Sequence, residues 1–167
     1  VGLVWYPFLL ERLDGGRQEL GPYQLTVYQA EEVPSWFGEG MTYQIFPDRF
    51  LRSRVPDPAG MVGGRWVHQD WEELPEWRPD QRGEIRNRDF FGGSLAGITS
   101  RLPELAAMGV TVLYLNPIFE SASNHRYNTA DYCAIDPMLG TEADFRRLCQ
   151  RAKALGLRVI LDGVFNH

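Results

Sequence analysis

The chain has 167 residues, 44% apolar and 23% charged, a composition that excludes a disordered protein. Its 17 Lys and Arg against 22 Asp and Glu leave a net charge of −5, so charge offers no pull toward nucleic acid or an anionic membrane. No run of about 18 apolar residues marks a membrane span, and Cys133 and Cys149 alone cannot build a disulfide framework.

Cys149 falls on the apolar face of a predicted helix, which reads as a buried free thiol in a reducing, cytoplasmic compartment. The opening VGLVWYPFLLE has neither a basic leader nor a small-residue cleavage site, and it does not begin with Met. The expectation is a piece of a longer protein at both ends. Residues Leu3 to Leu10 and Tyr23 to Gln29 read as strands, the second alternating Tyr23, Leu25 and Val27 against Gln24, Thr26 and Tyr28. LDGGRQELGP between them is turn chemistry, so an antiparallel hairpin is expected. A lone hairpin is marginal in water, and this one should belong to a larger sheet.

AEEVPSWFGEG, with Pro34, Gly38 and Gly40, reads as a linker, and MTYQIF as a short strand ended by Pro47. Arg49, Arg52 and Arg54 read as a solvated loop face. Leu51 to Asn87 has no regular period and is broken by Pro56, Pro58, Pro75, Pro79, Gly60, Gly63 and Gly64. So long a loop is either functional or disordered. Trp66, Trp71 and Trp77 argue against disorder, serving either loop packing or sugar stacking.

Ile98, Leu102, Leu105 and Ala106 then keep helical spacing, with Gly109 as the stop. Pro103 predicts a start near Ser100, because proline is tolerated in a first turn. Val110 to Leu115 is an apolar strand, and the segment from Asn116 to Gly140 reads as a loop. A second helix is expected where Thr141 and Asp144 form a capping signature, with a stripe of Phe145, Leu148, Cys149, Ala152 and Leu155 and a stop at Gly156. LRVIL is another buried strand. Apolar strands alternating with helices mean a parallel sheet in an α/β protein. FFGGSLAG follows a loop and lacks the Lys-Ser/Thr of a phosphate loop, which argues against nucleotide binding.

In such folds chemistry gathers at the carboxyl ends of the strands. Asp48 and Arg49 lie there, as an ion pair or a site. So do Asn116 with His125, Tyr127, Asn128 and Asp131 in its loop, and Asp162 with Asn166 and His167. Asn116 before Pro117 could equally be a turn, and Asp162 a scaffold carboxylate held by backbone amides. The two imidazoles could donate hydrogen bonds to a polar ligand. Oxygens of Asp162 and Asn166 suit calcium, but two residues fall short of the roughly 6–8 ligands that ion takes. These patterns name no substrate.

MTYQIFPDRF, FFGGSLAGI, VLYLNPIFESASNHRYNTADY, IDPMLGT and LRVILDGVFNH, in this order, resemble the opening barrel segments of the alpha-amylase family, glycoside hydrolase family thirteen. DGVFNH fits that family's Asp-x-x-x-Asn-His region, and YQIFPDRF with SNHRYNTADY is most similar to its cyclomaltodextrinase, neopullulanase and maltogenic amylase branch. The resemblance implies the first three β/α units of a TIM (β/α)8 barrel over residues 42–167. Residues 34–41 would be the linker, and residues 1–33 the closing strands of an N-terminal antiparallel β-sandwich.

The implied reaction is retaining hydrolysis or transfer at α-1,4 glucosidic bonds, with α-1,6 as a second linkage, on maltooligosaccharides, cyclodextrins or pullulan. Its catalytic carboxylates follow the fourth, fifth and seventh strands, so none lies within these residues and this piece alone should be inactive. By resemblance Tyr127 stacks on the sugar, His125 and His167 bond its hydroxyls, and Asp162 supports the catalytic region. Asn166 resembles a calcium ligand of many amylases. Calcium-binding relatives also carry Asn and Asp after FPDRF and an Asp in FFGGD, where this chain has Leu51, Arg52, Ser53 and Ser94. The entrance ligands are therefore lost, and no other cofactor is implied. Asn128 stands where Asp is frequent. The full-length protein would be a homodimer joined through its N-terminal domain. A non-catalytic sugar- or partner-binding relative, or an unrelated α/β binding module, are the competing readings.

Overall fold

A computed structural model describes residues 1–30 and 32–165. The chain falls into two compact units, Val1–Phe37 and Gly38–His167.

The first unit is an antiparallel hairpin of β1 (Gly2–Glu11) and β2 (Arg17–Val27), paired from Gly2 opposite Val27 to Glu11 opposite Arg17. The reversal needs only Arg12 to Gly16. Gly15 adopts φ +84°, the Arg12 carbonyl accepts from its amide at 2.9 Å, and Asp14 Oδ1 accepts from the Gly16 amide at 2.9 Å. Gln18 to Leu20 therefore pair with Phe8 to Leu10 instead of joining the turn. The ladder shifts register between Tyr6 and Phe8. Pro7 sits in that break, and a proline cannot donate to a ladder. Trp5 and Leu9 are each 58% exposed, as are Leu10 and Leu25 in good part. Within its own unit the hairpin thus leaves a large apolar area uncovered.

The second unit is built on a parallel sheet. β3 (Met41–Ile45) is followed by a long loop holding the two-residue strands β4 (Trp66–Val67) and β5 (Asp89–Phe90), then by α1 (Leu95–Ala107) and β6 (Val110–Leu115). β7 (Phe119–Ser121) and β8 (Thr129–Ile135) form a small antiparallel pair, and α2 (Glu142–Ala154) leads to β9 (Arg158–Leu161). The parallel order is β3-β6-β9, so each helix is the crossover between neighbouring strands. Ile45, Leu113, Leu115, Leu102, Ile98 and Leu148 close the core between helices and sheet. Each such side chain is worth about 1.5–3 kcal/mol relative to exposure.

α1 begins at Leu95, five residues before the start that Pro103 predicts. Ser94 is its cap, with Oγ accepting from the Gly97 amide at 3.0 Å. Pro103 stands inside the helix on its exposed side, where water can take the Thr99 carbonyl that loses its donor. Leu102 and Leu105 stay buried on the other side. α2 carries a reciprocal capping box between Thr141 and Asp144, which also holds the Asp144 carboxyl below its usual range.

The glycines of FFGGSLAG serve close backbone approach. A Cβ on Gly93 would lie 2.0 Å from the Pro47 carbonyl oxygen, and one on Gly97 2.0 Å from that of Leu51. The Gly93 and Ser94 amides donate to Asp48 O and Leu51 O at 2.9 and 3.0 Å. The start of α1 is in this way stitched onto the turn that leaves β3.

Candidate functional site

Asp162 directly follows β9, its amide donating to Leu115 O at 3.0 Å in continuation of the sheet. Asn116 stands at the matching tip of β6, its amide donating to Ile45 O at 3.0 Å. Three strand ends thus lie side by side, as a parallel sheet requires, and their polar side chains meet across them. Gln44 Nε2 donates to Asn116 Oδ1 at 2.7 Å, Asn116 Nδ2 to the Tyr127 hydroxyl at 3.3 Å, and Tyr127 to Asp162 Oδ2 at 2.7 Å. Tyr127 reaches this position from the loop between β7 and β8. Arg126, just before it, adopts φ +61°, and its side chain is fully buried.

The Tyr127–Asp162 bond favours the protonated phenol. With some burial it pushes the Tyr127 pKa up to about 12. Tyr114, on β6, is also raised, by burial and then by the same carboxylate. His125 lies beside Tyr127, ring centres 5.8 Å apart and planes 28° apart. Its Nδ1 accepts from the Tyr127 amide at 3.1 Å, which fixes the proton of the neutral ring on Nε2. Burial, with the nearby Arg126 cation, lowers the His125 pKa below 6.5. At neutral pH the ring is therefore an uncharged N–H donor.

The structure brings Tyr127, His125 and Asp162 together. Asn166 and His167 lie outside the described residues. Asn128 is spent locally, Oδ1 accepting from the hydroxyls of Ser121 and Ser123. Asp131 accepts from the Cys133 amide at 2.7 Å and is exposed. Asp48 is fully buried and accepts from the Phe91 and Gly92 amides at 3.0 and 3.2 Å, as well as from Arg49. It ties β3 to the long loop and has no free oxygen to offer a ligand.

The arginines after β3 correct the expected solvated face. Arg49 bonds Asp48 and Asp89 and lies 4.4 Å over the Phe91 ring, while Arg52 donates to main-chain carbonyls and only Arg54 is exposed. Trp66 packs on His68 and Trp71 on Phe91, but Trp77 stays 62% exposed. Cys133 and Cys149 are both free, and burial raises the Cys149 thiol.

Sequence reasoning missed the support beneath the site. Asp136 is fully buried between Arg65 Nη1 at 2.7 Å and Arg126 Nε at 3.0 Å. Both guanidinium groups lie over Phe90, 5.0 and 5.4 Å from its centre. His68 is likewise buried, set between Glu73 at 2.7 Å and Asp89 at 3.3 Å. Among the described residues, no three His, Cys, Asp or Glu side chains gather closely enough to hold a metal ion. No described helix is long and apolar enough to cross a membrane.

The geometry is that of a parallel α/β sheet whose strand tips present an aromatic ring, an imidazole and a carboxylate. Residues 44–167 match the alpha-amylase catalytic domain. The chain belongs to the alpha-amylase family. It is 44% identical to an amylopullulanase of Thermoanaerobacterium saccharolyticum over 98% of its own length, and 42% identical to neopullulanase 2 of Thermoactinomyces vulgaris over 90%. Among solved structures, the type III pullulan hydrolase of Thermococcus kodakarensis covers 97% of the chain at 31% identity, with a TM-score of 0.67. The chain spans 15% of that amylopullulanase, 24% of that neopullulanase and 30% of the pullulan hydrolase. Its fold is the TIM barrel of this family of glycoside hydrolases, in the branch of neopullulanases, cyclomaltodextrinases and maltogenic amylases.

Proposed function

We propose that β3, β6 and β9 are the first three strands of the eight-stranded barrel and carry one wall of an α-glucan site. The whole protein would be a retaining hydrolase or transglycosylase acting on α-1,4 bonds, with α-1,6 as a second linkage. Its substrates would be maltooligosaccharides, cyclodextrins or pullulan. Relatives that are an amylopullulanase, a neopullulanase and a cyclomaltodextrinase support this class of substrate. On this reading residues 1–33, which carry the β1–β2 hairpin, belong to the end of an N-terminal β-sandwich that would cover the hairpin's exposed apolar side chains, and residues 34–41 link the two domains.

One observation carries the reading: the Tyr127 ring is held at its hydroxyl by Asp162 and Asn116 and flanked by His125. A fixed flat aromatic suits the apolar C–H face of a pyranose. A neutral His125 would donate from Nε2 to a sugar hydroxyl, beside the Asp162 carboxylate that holds the Tyr127 phenol. Such positioning by groups that do not react is a recognised source of rate. The chemistry itself needs two carboxyl groups about 5–5.5 Å apart, one as nucleophile and one as acid/base, and we place these in the chain that follows. His167 would join His125 on the sugar. The whole protein would work in the cytoplasm as a homodimer.

The test is the full-length protein on maltotriose, a cyclodextrin and pullulan, with the first-formed anomer read by NMR. Release of the α-anomer is expected, with turnover falling in Tyr127→Ala. Saturable sugar binding without turnover would point instead to a non-catalytic relative, and no binding at all would remove the sugar site.

A further inference from the structure

Arg52 lies three residues after the turn that ends β3, and its guanidinium enters a ring of main-chain carbonyls from two other segments. Nη2 donates to Gln69 O at 2.6 Å, and Nη1 donates to His68 O at 2.7 Å and reaches Phe91 O at 3.5 Å. The guanidinium carbon lies 5.6 Å from the centre of the Trp71 ring. Carbonyl oxygens converging from separate loops are a typical donor set for a hard cation. A guanidinium brings a single positive charge with fixed N–H directions and a weakly held hydration shell to strip.

The rest of a calcium shell does not fit. Ser53 and Ser94 stand here with hydroxyls 3.3 Å apart, bonded to each other, and among the described residues no three His, Cys, Asp or Glu side chains gather closely enough to hold a metal ion. Ser94 Oγ is also committed to the Gly97 amide as the cap of α1, and the Leu51 carbonyl accepts from the Ser94 amide at 3.0 Å.

We infer that Arg52 is a built-in cation that closes the loop between β3 and α1, so that this part of the barrel is ordered without a metal ion. The loop's three anchor points, at Arg52, at residues 68–69 and at Phe91, are joined through one side chain. That side chain is covalently tethered and cannot be removed by a chelator or diluted away.

The test is amide hydrogen exchange on the full chain, read at residues 68–71 and 90–92, in excess EDTA and with added calcium. Equal protection in the two conditions is expected. Arg52→Met should exchange about tenfold faster at these amides, the loss of hydrogen bonds to a charged donor being spread over local opening. Arg52→Lys, which keeps the charge but not the fork, should fall between the two. EDTA speeding exchange at these amides in the unmodified protein would overturn the inference. So would Arg52→Met or Arg52→Lys retaining full protection. Should Arg52→Met not fold, Arg52→Lys decides by the same reading.

Discussion

Tyr127 and Asp162 are joined by a 2.7 Å hydrogen bond although 35 positions separate them. One sits in an irregular loop and the other at the tip of β9. Each is held from a second side, Tyr127 by Asn116 and Asp162 by the sheet ladder. The ring is therefore held by strand tips as well as by the loop that carries it.

Removing only the phenolic oxygen tests that dependence. Tyr127→Phe keeps the stacking face but leaves Asp162 without its donor. A hydrogen bond to a charged acceptor is worth about 1.5–3 kcal/mol, so kcat/KM of the full-length enzyme on maltotriose should fall by roughly 10- to 100-fold. Tyr127→Ala should fall further. Equal activity of Tyr127→Phe and the unmodified enzyme would show that the bond does no positioning.

The same bond predicts an alkaline limit. The folded-state pKa of Tyr127 is raised from 10.0 to about 12, so the bond's stabilisation is complete below the unfolded value and disappears as pH rises through the folded one. Urea midpoints should decline between these two pH values, and decline less in Tyr127→Phe. Parallel curves for the two proteins would locate the loss elsewhere.

Much of this architecture is readable in the sequence where the determinants are local. Thr141, Asp144 and the stripe from Phe145 to Leu155 specify α2 within a few turns, and the structure reproduces cap, stripe and stop. α1 begins earlier than Pro103 predicts because its real signals are tertiary. Ser94 caps a helix whose first turn is fixed by Gly93 and Gly97 against the β3 turn, and no local pattern reports that approach. The β7–β8 pair is hidden because β7 has only three residues and the ladder shifts register twice within it, leaving no regular period to read. At the site, family resemblance singles out Tyr127, His125 and Asp162, and the structure places these three side by side. Gln44 and Asn116 were not paired by any pattern, since 72 positions separate them.

That pairing has a consequence of its own. Gln44 fixes the Asn116 amide so that its NH2 faces Tyr127. Gln44→Met should leave stability nearly unchanged, since Gln44 is exposed, while freeing Asn116 to rotate. KM for maltotriose should rise severalfold, the expected scale for a neutral hydrogen bond worth about 1 kcal/mol. An unchanged KM would mean that Asn116 is held well enough by its backbone alone.

The buried ion cluster gives the largest stability effect. Asp136 faces Arg65 and Arg126, and all three side chains are essentially without solvent. Asp136 also accepts from the Met138 amide at 2.9 Å. Asp136→Asn keeps the shape and part of the hydrogen bonding but leaves two guanidinium groups buried beside a neutral amide. Breaking a buried pair from one side costs about 3–5 kcal/mol, and here two pairs share the acceptor. The urea midpoint of Asp136→Asn should therefore drop by far more than that of an exposed control such as Glu142→Gln, whose ion pair with Arg146 lies in solvent. The loop holding Tyr127 should loosen with it, because Arg126 anchors that loop from inside. Faster exchange at the amides of residues 124–128 in Asp136→Asn, at urea concentrations where the core is still folded, is the expected signature. Unaltered exchange there would separate the ion cluster from the site it underlies.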